Sequence, residues 1–174
     1  MDWVFHGRCW KFGDDVAVDG DMMPLEFALS RETRPEILRE HFMTGLDPDF
    51  PRKVRPRDII VGGRRFAQGN PHIQGLLGIS AHGCGLACES IPRGSFRNAV
   101  NAGVPVLAAC DGLCAQVTTG DTLEVNFATG LVRNRSTGWE TTYEPLPGFL
   151  LDIIAAGGWK PALRKRLQAT ASTE

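Results

Sequence analysis

The sequence has no long run of apolar residues and no excess of either charge. Its longest apolar stretches, at residues 104–110 and 153–156, are far shorter than the ~20 residues that a membrane-spanning helix requires. Lysine and arginine total 19 against 20 aspartates and glutamates, whereas nucleic-acid binders usually carry a basic excess. The N-terminus lacks the basic start and apolar core of a secretory signal. We therefore expect no membrane span, no nucleic-acid partner and a cytoplasmic location.

What the chain does contain is the composition of an ordinary globular protein. Of its 174 residues 43% are hydrophobic and 22% are charged, which excludes a disordered or fibrous chain. We expect one domain over residues 1–174, ending in a short basic helix at about residues 160–169. The positive charges of this helix are typical of a solvated helix end, and a binding patch is the alternative.

The five cysteines do not form a disulfide framework. Their number is odd, and without an export signal the thiols are expected to stay reduced. Cys84 and Cys88, like Cys110 and Cys114, are spaced C-x3-C, whereas zinc sites favour C-x2-C pairs or a compact His/Cys quartet. Cys84, Leu86 and Cys88 alternate as in an apolar strand, so we interpret the cysteines as core residues and expect no metal ligands in this chain.

Strand-like and helix-like segments alternate through the middle of the chain, which predicts a mixed α/β fold. Thr33, followed by Glu36, has the spacing of a capping box at a helix start. Residues 46–57 contain three prolines and are predicted to form a loop. The predicted strands cover residues 3–12, 58–61, 84–88, 104–109, 122–127 and 131–134, the last two forming a hairpin; the predicted helices cover about 34–44, 73–80, 94–102, 149–156 and 160–169.

The loop Gly69-Asn70-Pro71-His72 lies between a predicted strand and a predicted helix. Backbone N–H groups at a helix start attract anions, so a carboxylate substrate suits this place. A plain turn is the alternative, because glycine, asparagine and proline all favour turns.

Several separated segments resemble the small subunits of aconitase-type hydro-lyases, the group that includes isopropylmalate isomerase and dimethylmalate dehydratase. The resemblance runs from about residue 4 to residue 168, in the family's order. The segments that carry it are residues 7–15, 47–50, 56–63, 89–99, 101–107, 129–138, 145–147 and 156–158.

The resemblance implies a swivelling β/β/α domain and a partner. In this family a large aconitase-like subunit carries a [4Fe–4S] cluster whose iron holds the substrate hydroxyl as a Lewis acid. The small subunit closes over the substrate and supplies base and carboxylate-binding residues. The isolated chain is therefore expected to be inactive.

This chain departs from the family pattern at two places. The family loop reads Gly-Ser-Ser-Arg-Glu-His, with the first serine as base and the arginine on a substrate carboxylate; here residues 69–74 keep only Gly69. The family's early Asp-Thr-Asp becomes Ala17-Val18-Asp19, followed by a one-residue insertion. Asn70 cannot accept a proton as a serine alkoxide does, and His72 lacks the bidentate fork of arginine.

His72 is the only titratable side chain in residues 69–72, and it has the chemistry of a base or of an anion binder. The candidate catalytic residues are His72 and Asn70, and the candidate substrate-binding residues are Gly69, Pro71, Arg93 and Asp19. An ordinary surface role for His72 and Arg93, and turn capping by Asp19, stay open.

Two functional hypotheses follow. The first is the small subunit of an iron–sulfur-dependent hydro-lyase that acts on a hydroxy acid, with an altered substrate. The second is a non-catalytic subunit that binds and regulates an aconitase-like large subunit.

Overall fold

The computed structural model describes residues 1–171 of the chain. Its strands are β1 (Val4–Lys11), β2 (Ile59–Gly62), β3 (Gly85–Cys88), β4 (Val106–Leu107), β5 (Thr122–Asn126), β6 (Leu131–Asn134) and β7 (Glu140–Thr142). Its helices are α1 (Leu25–Leu29), α2 (Pro35–His41), α3 (Phe50–Lys53), α4 (Gln74–His82), α5 (Arg93–Asn101), α6 (Leu113–Gln116), α7 (Gly148–Ala155) and α8 (Trp159–Ala171).

All seven strands form one sheet in the order β4-β3-β2-β1-β5-β6-β7. β1 to β4 run parallel to one another, because helices or helix-containing connections separate them along the chain. β5 pairs antiparallel with β1, and β6 and β7 continue this antiparallel half. The predicted mixed α/β fold and the predicted hairpin of β5 and β6 are confirmed.

The parallel half of the sheet is covered on both faces. Residues such as Ile60 and Leu86 pack into one apolar cluster with α2, α4 and α5. Ile59 and Ala87 point to the opposite face, into a cluster with residues of β5 and β6. There the ring of Phe127 lies against Gly85, where a Cβ atom would stand 2.3 Å from the ring. The antiparallel half therefore curls over the second face, which produces a β/β/α layering.

The start of α2 differs from its prediction. Thr33 makes no side-chain cap; the N-cap residue is Arg34. The Glu32 carboxylate accepts the backbone N–H groups of Thr33 and Arg34 at 2.8 and 2.9 Å, so the acid before the threonine satisfies the free donors there. The predicted capping box is therefore wrong.

Two further predictions are corrected by the structure, which also adds some short elements. Residues 46–57 are not loop throughout, since α3 forms within them around a proline in its first turn, where no N–H is needed. The strand predicted at 104–109 has only two residues, because Pro105 lacks an N–H and β4 is the sheet edge. The short elements α1, α6 and β7 were not predicted.

The basic C-terminal helix is present as α8, with the side chains of Lys160, Arg164, Lys165 and Arg166 exposed. Among residues 1–171, no helix combines the length and the apolar character needed to cross a membrane. The assignment of residues 1–174 to one domain stays a prediction, and residues 172–174 lie outside the described residues.

Candidate active site

The predicted site residues lie at one edge of the sheet. Parallel strands end on the same side, so the segments that follow β1, β2 and β3 meet at their carboxyl ends. Asp19 follows β1, residues 69–72 follow β2, and Arg93 follows β3 as the first residue of α5. The topology thus brings together residues that are up to 74 positions apart in the chain (93 − 19).

Two of these segments run side by side beyond the strands. Gln68 donates its backbone N–H to the carbonyl of Val16 and accepts the N–H of Val18, both at 2.9 Å. Its side-chain amide donates to the carbonyl of Asp15 at 2.9 Å. The chain before Asp19 is therefore held against the chain before Gly69.

The loop at residues 69–72 is a tight turn. The backbone N–H of His72 donates to the carbonyl of Asn70 at 2.7 Å, which closes a three-residue turn around Pro71. The proline ring restricts φ to values that such a turn requires. Gly69 has φ +99°, a conformation that residues with a Cβ atom rarely adopt. This backbone conformation accounts for the glycine, the one residue of the family loop that is retained here.

Helix α5 supports this turn from the other side. The Asn98 side-chain amide donates to the carbonyl of Pro71 at 2.5 Å. The proline ring lies so close to Gly94 that a Cβ atom there would stand 2.9 Å from it. The turn is therefore fixed on α5, and neither Asn98 nor Gly94 was identified from the sequence as a supporting residue.

The side chains of His72 and Asp19 are in direct contact. Nδ1 of His72 lies 2.9 Å from each carboxylate oxygen of Asp19. The two side chains are 29% and 25% exposed, so the pair is half-buried and open to one side. Among residues 1–171, Nε2 of His72 has no hydrogen-bond partner. A neutral imidazole that donates from Nδ1 to a carboxylate presents an unprotonated Nε2, which is the arrangement of a general base.

The other candidate residues are exposed. Gly69, Asn70 and Pro71 lie on the surface, and the Asn70 side chain makes no hydrogen bond with the described residues. Arg93 is exposed, and its guanidinium has no partner in the described part of the chain. Arg93 adjoins Gly94, which contacts Pro71, so its charge is available at this edge.

The backbone next to the site carries unusual conformations that sequence patterns did not reveal. Asp15, Arg65 and Ala67 are non-glycine residues with φ values of 59°, 52° and 61°. The Arg65 guanidinium binds both oxygens of Asp15 at 2.5 Å, and this hydrogen bonding lowers the pKa of that carboxyl. Such conformations cost free energy and cluster at functional sites in proteins.

The cysteines do not form a site for an iron–sulfur cluster. Burial raises the pKa of Cys9 and Cys110 to about 12, so these groups are thiols near neutral pH. Cys88 and Cys110 both direct Sγ at the carbonyl of Leu107, at 3.7 Å. Within residues 1–171, no three His, Cys, Asp or Glu residues are placed to hold a metal ion. Cys9, Cys84, Cys88 and Cys110 are buried, in agreement with their interpretation as core residues, whereas Cys114 is only half-buried.

No family model matches the chain, but individual known proteins do. It is 42% identical over 167 residues to the isopropylmalate/citramalate isomerase small subunit of Methanocaldococcus jannaschii, covering 94% of this chain and 96% of the relative. It is 40% identical over 158 residues to 3-isopropylmalate dehydratase small subunit 1 of Methanopyrus kandleri, covering 89% of each.

A solved structure supports the same relationship. The crystal structure of a 3-isopropylmalate dehydratase from Methanocaldococcus jannaschii superposes with a TM-score of 0.87 at 30% identity. The superposition covers 98% of this chain and 99% of that one, so the expected family fold is confirmed. On this sequence identity and coverage, the chain belongs to the family of 3-isopropylmalate dehydratase small subunits.

Proposed function

We propose that this chain is the small subunit of a two-subunit hydro-lyase that removes water reversibly from a hydroxy acid in the cytoplasm. Family membership supports the reaction class and the large-subunit partner. The observation that carries the proposal is the His72–Asp19 contact in the loop that corresponds to the family's active-site loop. The changed loop is thus still equipped for proton transfer.

The proposed role of His72 is that of the base. Removal of water from a hydroxy acid requires that a proton leave the carbon next to the one bearing the hydroxyl. Nε2 of His72 takes this proton, and the proton and the departing hydroxide together account for the water that is lost. Asn70 cannot accept a proton, and its side-chain amide instead donates hydrogen bonds to substrate oxygens.

The substrate carboxylate needs a cation where the family's arginine is missing. Arg93 is an exposed, unpaired guanidinium in the described chain and stands beside the loop. The starts of α4 and α5 both point to this edge and add a weak positive potential. We assign carboxylate binding to Arg93, with Gly69 and Pro71 shaping the loop around the substrate.

A partner completes the site in this proposal. The His72–Asp19 pair is partly exposed, whereas base catalysis is most effective where water is excluded. The described residues do not fit an iron–sulfur cluster, so we place the [4Fe–4S] cluster on the large aconitase-like subunit and derive no step from it. The isolated chain is expected to be inactive.

The test is co-expression with its large subunit, followed by dehydration assays over a panel of hydroxy acids. His72→Ala should lower turnover about 100- to 10,000-fold, because general-base catalysis commonly contributes that much. His72→Gln keeps hydrogen bonding but cannot carry a proton, so it should be nearly as damaging. His6→Gln is the matched control, since His6 is exposed on β1 and lies beside Glu124 on the antiparallel half.

Two outcomes would contradict the role of His72. If His72→Gln keeps most of its turnover and shows mainly a raised KM, His72 binds an anion. If both variants behave like the parent while co-purifying with the large subunit, the second hypothesis, a non-catalytic subunit, becomes the better explanation.

A further inference from the structure

Asp19 is a candidate substrate-binding residue, but in the structure its carboxylate contacts His72. Both of its carboxylate oxygens face a single imidazole nitrogen, Nδ1 of His72, at the same distance of 2.9 Å. A carboxylate accepts hydrogen bonds and does not donate them, so the contact requires a proton on Nδ1. In the neutral ring the lone pair is then on Nε2, the nitrogen without a described partner.

We propose that Asp19 is a positioning residue: it holds His72 in the Nδ1–H tautomer, aims Nε2 at the substrate, and balances the charge of the imidazolium that forms when Nε2 takes a proton. This inference rests on the proposed function and names what makes His72 competent as the base. The neutral ring has two tautomers, and the hydrogen bond to one nitrogen decides which is present. The same logic governs the aspartate of serine-protease triads.

The backbone of Asp19 is held without help from its side chain. Met22 donates its N–H to the carbonyl of Ala17, and Gly20 donates to that of Met23. The Asp21 carboxylate accepts the N–H of Ala17 at 2.8 Å, and the buried side chains of Met22 and Met23 anchor the segment in the core. Truncation at Asp19 therefore removes the contact with His72 and leaves the segment folded.

Substrate binding by Asp19 is the competing role, and it predicts different kinetics. A carboxylate that faces an anionic substrate repels it, unless it binds the substrate hydroxyl. Loss of such a hydroxyl contact raises KM. Loss of a positioning contact lowers kcat and leaves KM nearly unchanged, because the interaction matters for proton transfer.

The first measurement is nitrogen NMR of the full chain labelled with 15N-histidine, at a pH of about 8.5 where histidine side chains are generally neutral. The chain has four histidines, and the signals of His72 are those lost in His72→Gln. The parent should show a protonated Nδ1 and an unprotonated Nε2. In Asp19→Ala the Nε2–H tautomer should become populated.

Asp21→Asn is the matched control, since it removes a carboxylate charge two residues away and keeps an oxygen for the N–H of Ala17. It should leave the His72 tautomer unchanged. If Asp19→Ala leaves the His72 signals as in the parent, or if the parent already carries the proton on Nε2, the positioning role is overturned.

The second measurement is turnover of the complex with the large subunit. Asp19→Ala and Asp19→Asn should lower kcat about 10- to 100-fold, part of the total contribution of a general base, with KM within about threefold of the parent. Asp21→Asn should stay within about twofold. A raised KM with parental kcat in Asp19→Ala would overturn positioning in favour of substrate binding.

The two measurements separate this inference from the proposed function. Absence of dehydration by the complex with every hydroxy acid tested would overturn the proposed function. Full turnover in His72→Gln would overturn the role of His72 as the base, even where the NMR shows that Asp19 sets the tautomer. A tautomer independent of Asp19 would overturn the positioning role, even where His72→Gln is inactive.

Discussion

The parallel and antiparallel halves of the sheet differ in what covers them. β2, β3 and β4 are buried along their whole length, between helices on one face and the curled antiparallel strands on the other. β6 and β7 are only partly covered and turn a charged face to water. On that face the carboxylate of Glu124 lies between Arg133 and Arg135, at 3.1 Å from Nη1 of the first and 3.0 Å from Nε of the second.

This difference gives a physical reason for the place of the proposed site. Strands covered on both faces accept mainly apolar side chains, so polar groups concentrate in the segments beyond their carboxyl ends. The two stretches that depart from the family pattern, at 17–19 and 69–74, lie at that edge. In the proposed function, substitutions there change the reacting groups while the apolar layers stay intact. We therefore expect the parallel half to be sensitive to loss of packing and the water-facing side of the antiparallel half to be tolerant.

The largest expected effect on stability comes from Asp58, immediately before β2. Its buried carboxylate accepts the N–H groups of Arg8 and Arg55, both at 2.9 Å, and the indole N–H of Trp10 at 2.8 Å. Asp58→Ala leaves these three donors unsatisfied, so the free energy of unfolding in urea should fall by about 3–5 kcal/mol.

Two variants control this result. Asp58→Asn keeps one oxygen acceptor and should lose less stability, and Asp111→Ala removes an exposed carboxylate and should change stability by less than about 0.5 kcal/mol. If the free energy of unfolding of Asp58→Ala falls by less than about 1 kcal/mol, water replaces the three hydrogen bonds to the Asp58 carboxylate.

A smaller effect is expected in the helical layer. A Cβ atom at Gly78 of α4 would stand 2.5 Å from the ring of Phe42, which is fully buried. Gly78→Ala should therefore lower the free energy of unfolding by about 1–3 kcal/mol, despite the better helix propensity of alanine.

The control is Gly148→Ala at the start of α7, where a Cβ atom meets nothing within 4 Å. It should be neutral or stabilising by up to about 1 kcal/mol, since alanine restricts the unfolded chain. Equal destabilisation of both variants would contradict a packing role for Gly78.

The smallest effect is expected on the antiparallel half. The hydrogen bond from Arg135, with the charges of Arg135 and Arg133, lowers the pKa of the Glu124 carboxyl. A carboxyl with a lowered pKa in the folded state stabilises the protein above its unfolded pKa, and this contribution is lost as pH falls through the folded pKa. The stability advantage of the parent over Glu124→Gln should therefore shrink from about pH 5 downward.

Urea unfolding at several pH values and salt concentrations measures this difference. Glu144→Gln, an exposed residue without a partner among those described, should show no such pH dependence. A difference between Glu124→Gln and the parent that stays constant with pH would contradict the ion-pair explanation.

Local sequence patterns predicted most of the secondary structure and part of the site. Sequence patterns predicted the strands β1, β2 and β3 and the hairpin of β5 and β6. These segments consist of alternating or continuous apolar residues, and turn-forming residues flank them. The structure gives a reason for Gly75 and Gly78 in α4, since they let the helix approach Met22 and Phe42.

The sequence by itself determined the fold class, the family and the identity of His72 as the titratable residue of the changed loop. These depend on short-range patterns and on motif order, which are visible along the chain. Only the tertiary structure decided that Asp19 faces His72, that Asn98 supports Pro71, and that Asp58 joins β1 to the start of β2. Asp19 and His72 are 53 residues apart, and no local pattern joins them. Their contact arises because β1 and β2 pair in parallel and deliver the following segments to the same edge of the sheet.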